Sequence, residues 1–235
     1  GSSDPYALRR NLNGIIQIIW QYDFNLELDK LLLNFLNHWK LKLVNLNFNF
    51  DKVLEDLIIF SNQRIISHLE DLYFDRQVIN ATCESENIKH LNILDIVDVK
   101  NRIKLTKEIK SSEISTKLIN IISRYSKLAN NGNIQKDIFS CSPYVDKQLL
   151  EKQSEIDVYK FLKSLENLKY SENFEYRKLI VLFEENINIL EALFDNQKGV
   201  LIMSDNINIR NNRLNILCLI RNYSLLIADF TVLNF

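Results

Sequence analysis

The sequence predicts an all-α protein of eight or nine antiparallel helices, either an irregular bundle or a HEAT-like stack of helical pairs. Three observations predict it. Among 235 residues there are four Gly and two Pro, whereas sheet-rich folds place both residues in their many tight turns. Hydrophobic residues make up 46% of the chain, enough to bury a sizeable core and to argue against disorder. Most of these residues recur every three or four positions, the period of a helix with one buried face. A composition rich in Asn, Ile, Leu and Lys and poor in Ala points to an AT-rich genome, which also lowers Gly and Pro.

The elements follow in order. Asp4 and Pro5 offer a cap and a first-turn proline. Leu8, Leu12, Ile15, Ile16, Ile19 and Trp20 then form one stripe ending near Tyr22, with Gly14 inside it at a cost of about 1 kcal/mol against Ala. A second helix fits 26–43 through Leu28, Leu31, Leu32, Phe35, Leu36 and Trp39. The stretch VNLNFNF (44–50) alternates with a period of two. We read it as an extended connection in which Asn49 caps the next helix and Phe48 packs on Val53 as a hydrophobic staple; a short edge strand is the alternative. The third helix is expected over about 50–73, and the polar residues 74–86 read as a loop.

Residues 88–97 read as helix. Over 98–109 two readings stand: Val97, Val99, Ile103 and Leu105 alternate around KNR as in a hairpin, and on a helix the apolar residues scatter round the axis. A helix over 112–129 starts at Ser112 and ends at NNG, where Gly132 suits a left-handed cap. Residues 130–141 form a second loop. It is the best place for a weak subdivision of what otherwise reads as one domain over 4–235. Ser142-Pro143 repeats the cap-plus-proline start, and the apolar face changes near Gln153 and Ser154, marking two helices or one covered on both sides. A helix over 173–195, an alternating stretch over 199–209 that fits a small hairpin, and a last helix over 210–230 complete the chain. Residues 1–3 (GSS) read as a tag remnant. No Met follows them, so the chain reads as cut from a longer protein or as having its first residue replaced.

Function is argued first by exclusion. No run of about 18 apolar residues exists, so no membrane span is expected. Three widely spaced cysteines, Cys83, Cys141 and Cys218, do not make a disulfide framework and favour a reducing compartment. We therefore expect an intracellular protein of cytoplasm or nucleus. His38, His68 and His90 stand at no metal-ligand spacing from one another or from a cysteine. Isolated glycines cannot build a phosphate loop. Cys141, on a loop, reads as the most exposed thiol, and Glu84 and Glu86 disfavour a thiolate at Cys83. Adjacent carboxylates such as Glu184 and Glu185 diverge on a helix and share no site. No catalytic residue, cofactor site or metal site is expected.

Charge is the feature that stands out. Residues 100–148 hold ten basic and four acidic side chains, while 1–99 hold nine and fourteen. The dense part carries Lys100, Arg102, Lys104, Lys107 and Lys110. Such a cluster contacts phosphates, an acidic partner or the chain's own acidic helices. Few aromatics interleave it, which argues against a platform for stacked bases. The leading expectation is a helical scaffold or protein–protein interaction domain in a larger intracellular assembly, without catalytic activity. The alternative is a nucleic-acid-associated domain using 100–110.

Overall fold

A computed structural model describes Asp4, residues 6–43 and residues 49–233, with the backbone alone at 113–115. Among the described residues there are ten α-helices, short 3-10 and π turns, and no strand. The architecture is an all-α irregular bundle, and the hairpin alternatives over 98–109 and 199–209 are not realised.

The helices are α1 (Leu8–Tyr22), α2 (Leu28–Lys42), α3 (Phe50–Asp71), α4 (Arg76–Ile79), α5 (Ile96–Ser111), α6 (Glu113–Ala129), α7 (Gln153–Lys169), α8 (Tyr176–Glu185), α9 (Ile187–Ala192) and α10 (Ile207–Leu225). Asn49 starts α3 as expected, its side chain accepting the Lys52 N–H at 3.1 Å. Residues 44–48, and with them the Phe48–Val53 staple, lie outside the described residues, as does Pro5. Asp4 accepts the Arg9 N–H at 3.4 Å from ahead of the helix.

The buried residues fall into two apolar clusters. The first joins Ile16 and Ile19 of α1, Leu28 of α2, and Ile65 and Leu69 of α3 to Val78, Ile79, Leu94, Ile96, Val99 and Ile103. The second is larger and gathers α6 to α10 with Leu105 and Ile109. Helix α5 contributes to both. At 100° per residue, Ile96, Val99 and Ile103 lie on one side of it and Leu105 and Ile109 on the other. That is why its apolar residues scatter round the axis.

Five expected boundaries are corrected. Residues 74–86 are not an exposed loop. Asp75 caps α4 through the Gln77 and Val78 N–H groups at 2.8 and 3.3 Å, and a π turn over Asn80–Glu84 follows, with Ala81 and Thr82 buried. The α5 helix begins at Ile96 rather than 88, because Asp95 caps it through the Asp98 N–H at 3.0 Å. Ser142-Pro143 starts no helix. The Cys141 carbonyl accepts the Tyr144 and Val145 N–H groups in a turn, and α7 begins only at Gln153. The expected helix over 173–195 is broken at Asn186, whose amide donates to the Leu182 carbonyl at 2.8 Å. Gly132 has no positive φ. A Cβ there would stand 2.6 Å from Cys218 Sγ, so its need is for close packing on α10 and not for a left-handed cap.

Helix α10 is buried on nearly every side and wires the long connection before α7 to the core. Asn212 accepts the Asp146 N–H and donates to the Asp146 carbonyl, at 2.8 and 2.9 Å. Asn215 donates to the Tyr144 carbonyl at 2.7 Å, and the Tyr223 hydroxyl to the Phe139 carbonyl at 2.5 Å. Arg221 donates to the Ile134 carbonyl at 2.8 Å. Asn222 donates to the Gln135 and Ile138 carbonyls, both at 2.7 Å. A segment without regular structure must satisfy its buried carbonyls some other way, and side chains on successive turns of one helix do it here.

Candidate nucleic-acid interface

Helix α5 is walled on two sides, which leaves one outward strip. Asn101, Lys104, Lys107 and Glu108 are exposed along it, with Lys100 half-buried at its edge. The five basic residues singled out by sequence are not brought together as one surface. Lys100 donates to the Trp20 carbonyl and to Asp23, both at 2.6 Å. Arg102 is buried and bridges Asp98 at 2.6 Å and the Thr82 carbonyl at 2.7 Å. Lys110 donates to Asp75 at 2.9 Å and Gln77 at 2.7 Å, and the Lys110 bond holds the Asp75 carboxyl below its ordinary range. Those three residues tie α5 to α1, to the π turn and to α4.

Lys104 and Lys107 are the outward pair. Lys107 lies over the Phe74 ring, 5.3 Å from its centroid. Lys104 has no ion-pair partner among the described residues. Beside Lys104 a groove of about 480 Å³ opens toward α8, lined also by Asn101, Glu108, Phe174, Tyr176 and Arg177. Arg177 pairs with Glu108 across its mouth. The Tyr176 hydroxyl donates to Asp98 at 2.5 Å, and Lys169 covers Phe174 at 5.0 Å. Both rings are therefore engaged, and the strip offers point charges rather than a stacking platform. Sequence reasoning missed Asn101, Phe174, Tyr176 and Arg177. The last three stand about seventy residues from α5, and nothing local ties them to it.

Nucleophilic chemistry finds no support in the thiols. Cys141 was expected to be the most exposed and is fully buried; its turn closes under α7. Burial, with Glu166 nearby, pushes its thiol up to about 12. Burial likewise raises Cys83 to about 12 against the pull of Arg102, and raises Cys218. Among the described residues no group of three or more His, Cys, Asp or Glu is placed to hold a metal ion. None of their helices is long and apolar enough to cross a membrane.

Comparison with known proteins gives a consistent result. A family model described as glycyl-tRNA synthetase beta subunit matches residues 1–84. The chain is 30% identical to the glycine–tRNA ligase beta subunit of Synechocystis sp., over 98% of the chain and 33% of that protein. It is 28% identical to the same subunit of Acaryochloris marina, over 98% of the chain and 32% of the relative. Against that of Clostridioides difficile the identity is 26%, over 98% and 31%. The chain spans about a third of the length of the curated relatives it matches. These relatives are subunits of a ligase, which overturns the expectation of a non-catalytic scaffold or interaction domain. A motif search finds only the chemistry that a segment carries by itself. A stretch that matches only a third of such a relative need carry no reacting group.

Proposed function

We propose that this chain is a segment of a glycine–tRNA ligase beta subunit and takes part in joining glycine to its tRNA, in an assembly with a second, different subunit. The observation that carries this reading is the extent of the similarity, which runs over 98% of the chain in several relatives rather than over one short motif. Work on tRNA places the protein inside the cell.

Within that reading, the outward strip of α5 meets the RNA. Lys104 and Lys107 lie against phosphates as point charges, while Lys100, Arg102 and Lys110 hold the helix in its seat. The two exposed lysines stand on a helix buried on both flanks, so their position is rigid.

The test is glycine charging by the full-length subunit with its partner subunit. Lys104→Glu with Lys107→Glu is expected to raise the KM for tRNA about tenfold, a loss of about 1.4 kcal/mol, with kcat little changed. An unchanged KM at low salt would remove the strip from the RNA. A wild-type assembly that charges no tRNA with glycine would remove the ligase reading itself.

A further inference from the structure

The helices at the start of the chain leave an apolar face uncovered. Among the described residues, nineteen large hydrophobic side chains are exposed, and thirteen of them lie between Tyr6 and Tyr73. On α1, Leu8, Ile15, Ile18 and Tyr22 fall within roughly 80° of arc, directly beside the buried edge made by Ile16 and Ile19. The apolar arc of α1 is thus about twice as wide as its contacts inside the chain require. Phe24 extends the stripe, its ring 6.0 Å from that of Tyr22. Ile15, Ile18, Phe24 and Leu26 wall an apolar groove of about 310 Å³. Beside the stripe, a Cβ built on Gly14 would meet nothing within 4 Å, so among the described residues no contact accounts for a glycine there.

The chemistry of the face selects a protein. Its side chains are aliphatic and aromatic apart from the exposed Asn11, which stands within the arc, and Gly14 and Gln21 lie beyond its edge. Helix α1 has no acidic residue, and its charges, Arg9 and Arg10, sit at one end. Depletion of charge with enrichment of aromatics marks the centre of a protein interface. A helix lying on a membrane surface carries a polar face rich in Lys and Arg instead. The spacing 8, 15, 18, 22 is what an amphipathic helix laid alongside would read. The relatives extend over about three times the span of this chain, so two thirds of their polypeptide lies outside the matched region. Being joined covalently, that part would be present at high effective concentration.

We propose that the Leu8–Ile15–Ile18–Tyr22 face is covered by a helix from the remaining part of the ligase beta subunit. This rests on the ligase reading above. The test places a reporter thiol by Ile18→Cys in the full-length subunit and in the 235-residue chain alone, and measures maleimide labelling of each. Background is low because burial raises all three native thiols. Labelling is expected to be at least about tenfold slower in the full-length subunit. Equal rates overturn the proposal. So does slowing in the short chain that grows with its concentration, which assigns the face to a second copy. Protection that needs the second subunit also overturns it. Tyr22→Cys repeats the measurement at the other end of the stripe. Glycine charging by the same full-length protein reports on the ligase reading separately, since active enzyme with a fast-labelling thiol sinks this proposal alone.

Discussion

Arg213 on α10 and Glu155 on α7 form a buried ion pair, Nε to Oε1 at 2.8 Å, with side-chain exposures of 6% and 0%. The carboxylate is fully engaged. Its Oε2 accepts the Glu151 and Lys152 N–H groups, both at 2.9 Å, and so closes the N-terminus of α7. The guanidinium also donates to the Leu201 carbonyl at 2.9 Å and to Glu151 at 2.7 Å. Removing Arg213 strands the Glu155 carboxylate in the interior without its cation, and removing Glu155 leaves Arg213 only the half-exposed Glu151 as a carboxylate partner. Arg213→Ala or Glu155→Ala is expected to lower stability by about 3–5 kcal/mol in urea unfolding. A loss below about 1 kcal/mol would mean that water reaches the pair.

Asn222 is expected to be the position that holds residues 130–141 in place. Its amide donates to two carbonyls of that segment, and its oxygen accepts from Arg221 at 3.0 and 3.1 Å. Arg221 has no carboxylate partner among the described residues and leans on carbonyls and this amide. Burial lowers its pKa. Asn222→Ala is expected to cost about 2–3 kcal/mol, because buried carbonyls lose their donors. Amide exchange should quicken between 134 and 139 before it does so in α3. Uniform exchange across both clusters would contradict this.

His68 makes the first cluster sensitive to acid. Its ring meets Trp20 edge-on at 5.4 Å, and its buried Nε2 has no hydrogen-bond partner among the described residues. Burial lowers its pKa below the ordinary 6.5, with Asp71 pulling the other way. The unfolded chain therefore takes up the proton at a higher pH than the folded one. Stability is full above about pH 6.5 and falls as the pH drops from there through the folded value. Unfolding followed between pH 7.5 and 5 should show this slope, and His68→Phe should flatten it. An equal slope in the variant would assign the effect to other groups.

How far the fold was legible depends on how many sides of each helix are covered. Helices with one buried face, such as α1 and α3, show their period, and local caps such as Asn49 mark their starts. Helix α5 does not, because Val99 and Leu105 face different cores. Short buried pieces such as Val78–Thr82 are too brief to show any period, and their polar neighbours make them look like a loop. The basic run read as a patch because linear density says nothing about direction. Asp98, four residues before Arg102, was the available sign that one of its charges is used internally. The groove toward α8 had no local sign, since its two sides are joined only by the fold.

Separating structural from outward cations gives the last prediction. Among the described residues Lys104 and Lys107 make no ion pair, so replacing both with Glu leaves α5 in its seat and, on the proposed reading, removes two phosphate contacts. Stability should change by no more than about 1 kcal/mol, chiefly from losing the Lys107 contact with the Phe74 ring, while the dependence of tRNA affinity on salt should flatten by about one unit per lysine. Arg102→Glu does something different. It places a carboxylate beside Asp98 in a buried site and strands the Thr82 carbonyl, so it should unfold the seam between α5 and the π turn. Lys100→Glu falls between, since Lys100 is only partly buried and holds α1 through Asp23 and the Trp20 carbonyl. Measured on the same chain by denaturant unfolding and by tRNA titration at two salt concentrations, positions 104 and 107 should move affinity, position 102 stability, and position 100 should lie between them. A double variant at 104 and 107 that binds tRNA with the wild-type salt slope would place the RNA on another face of the bundle.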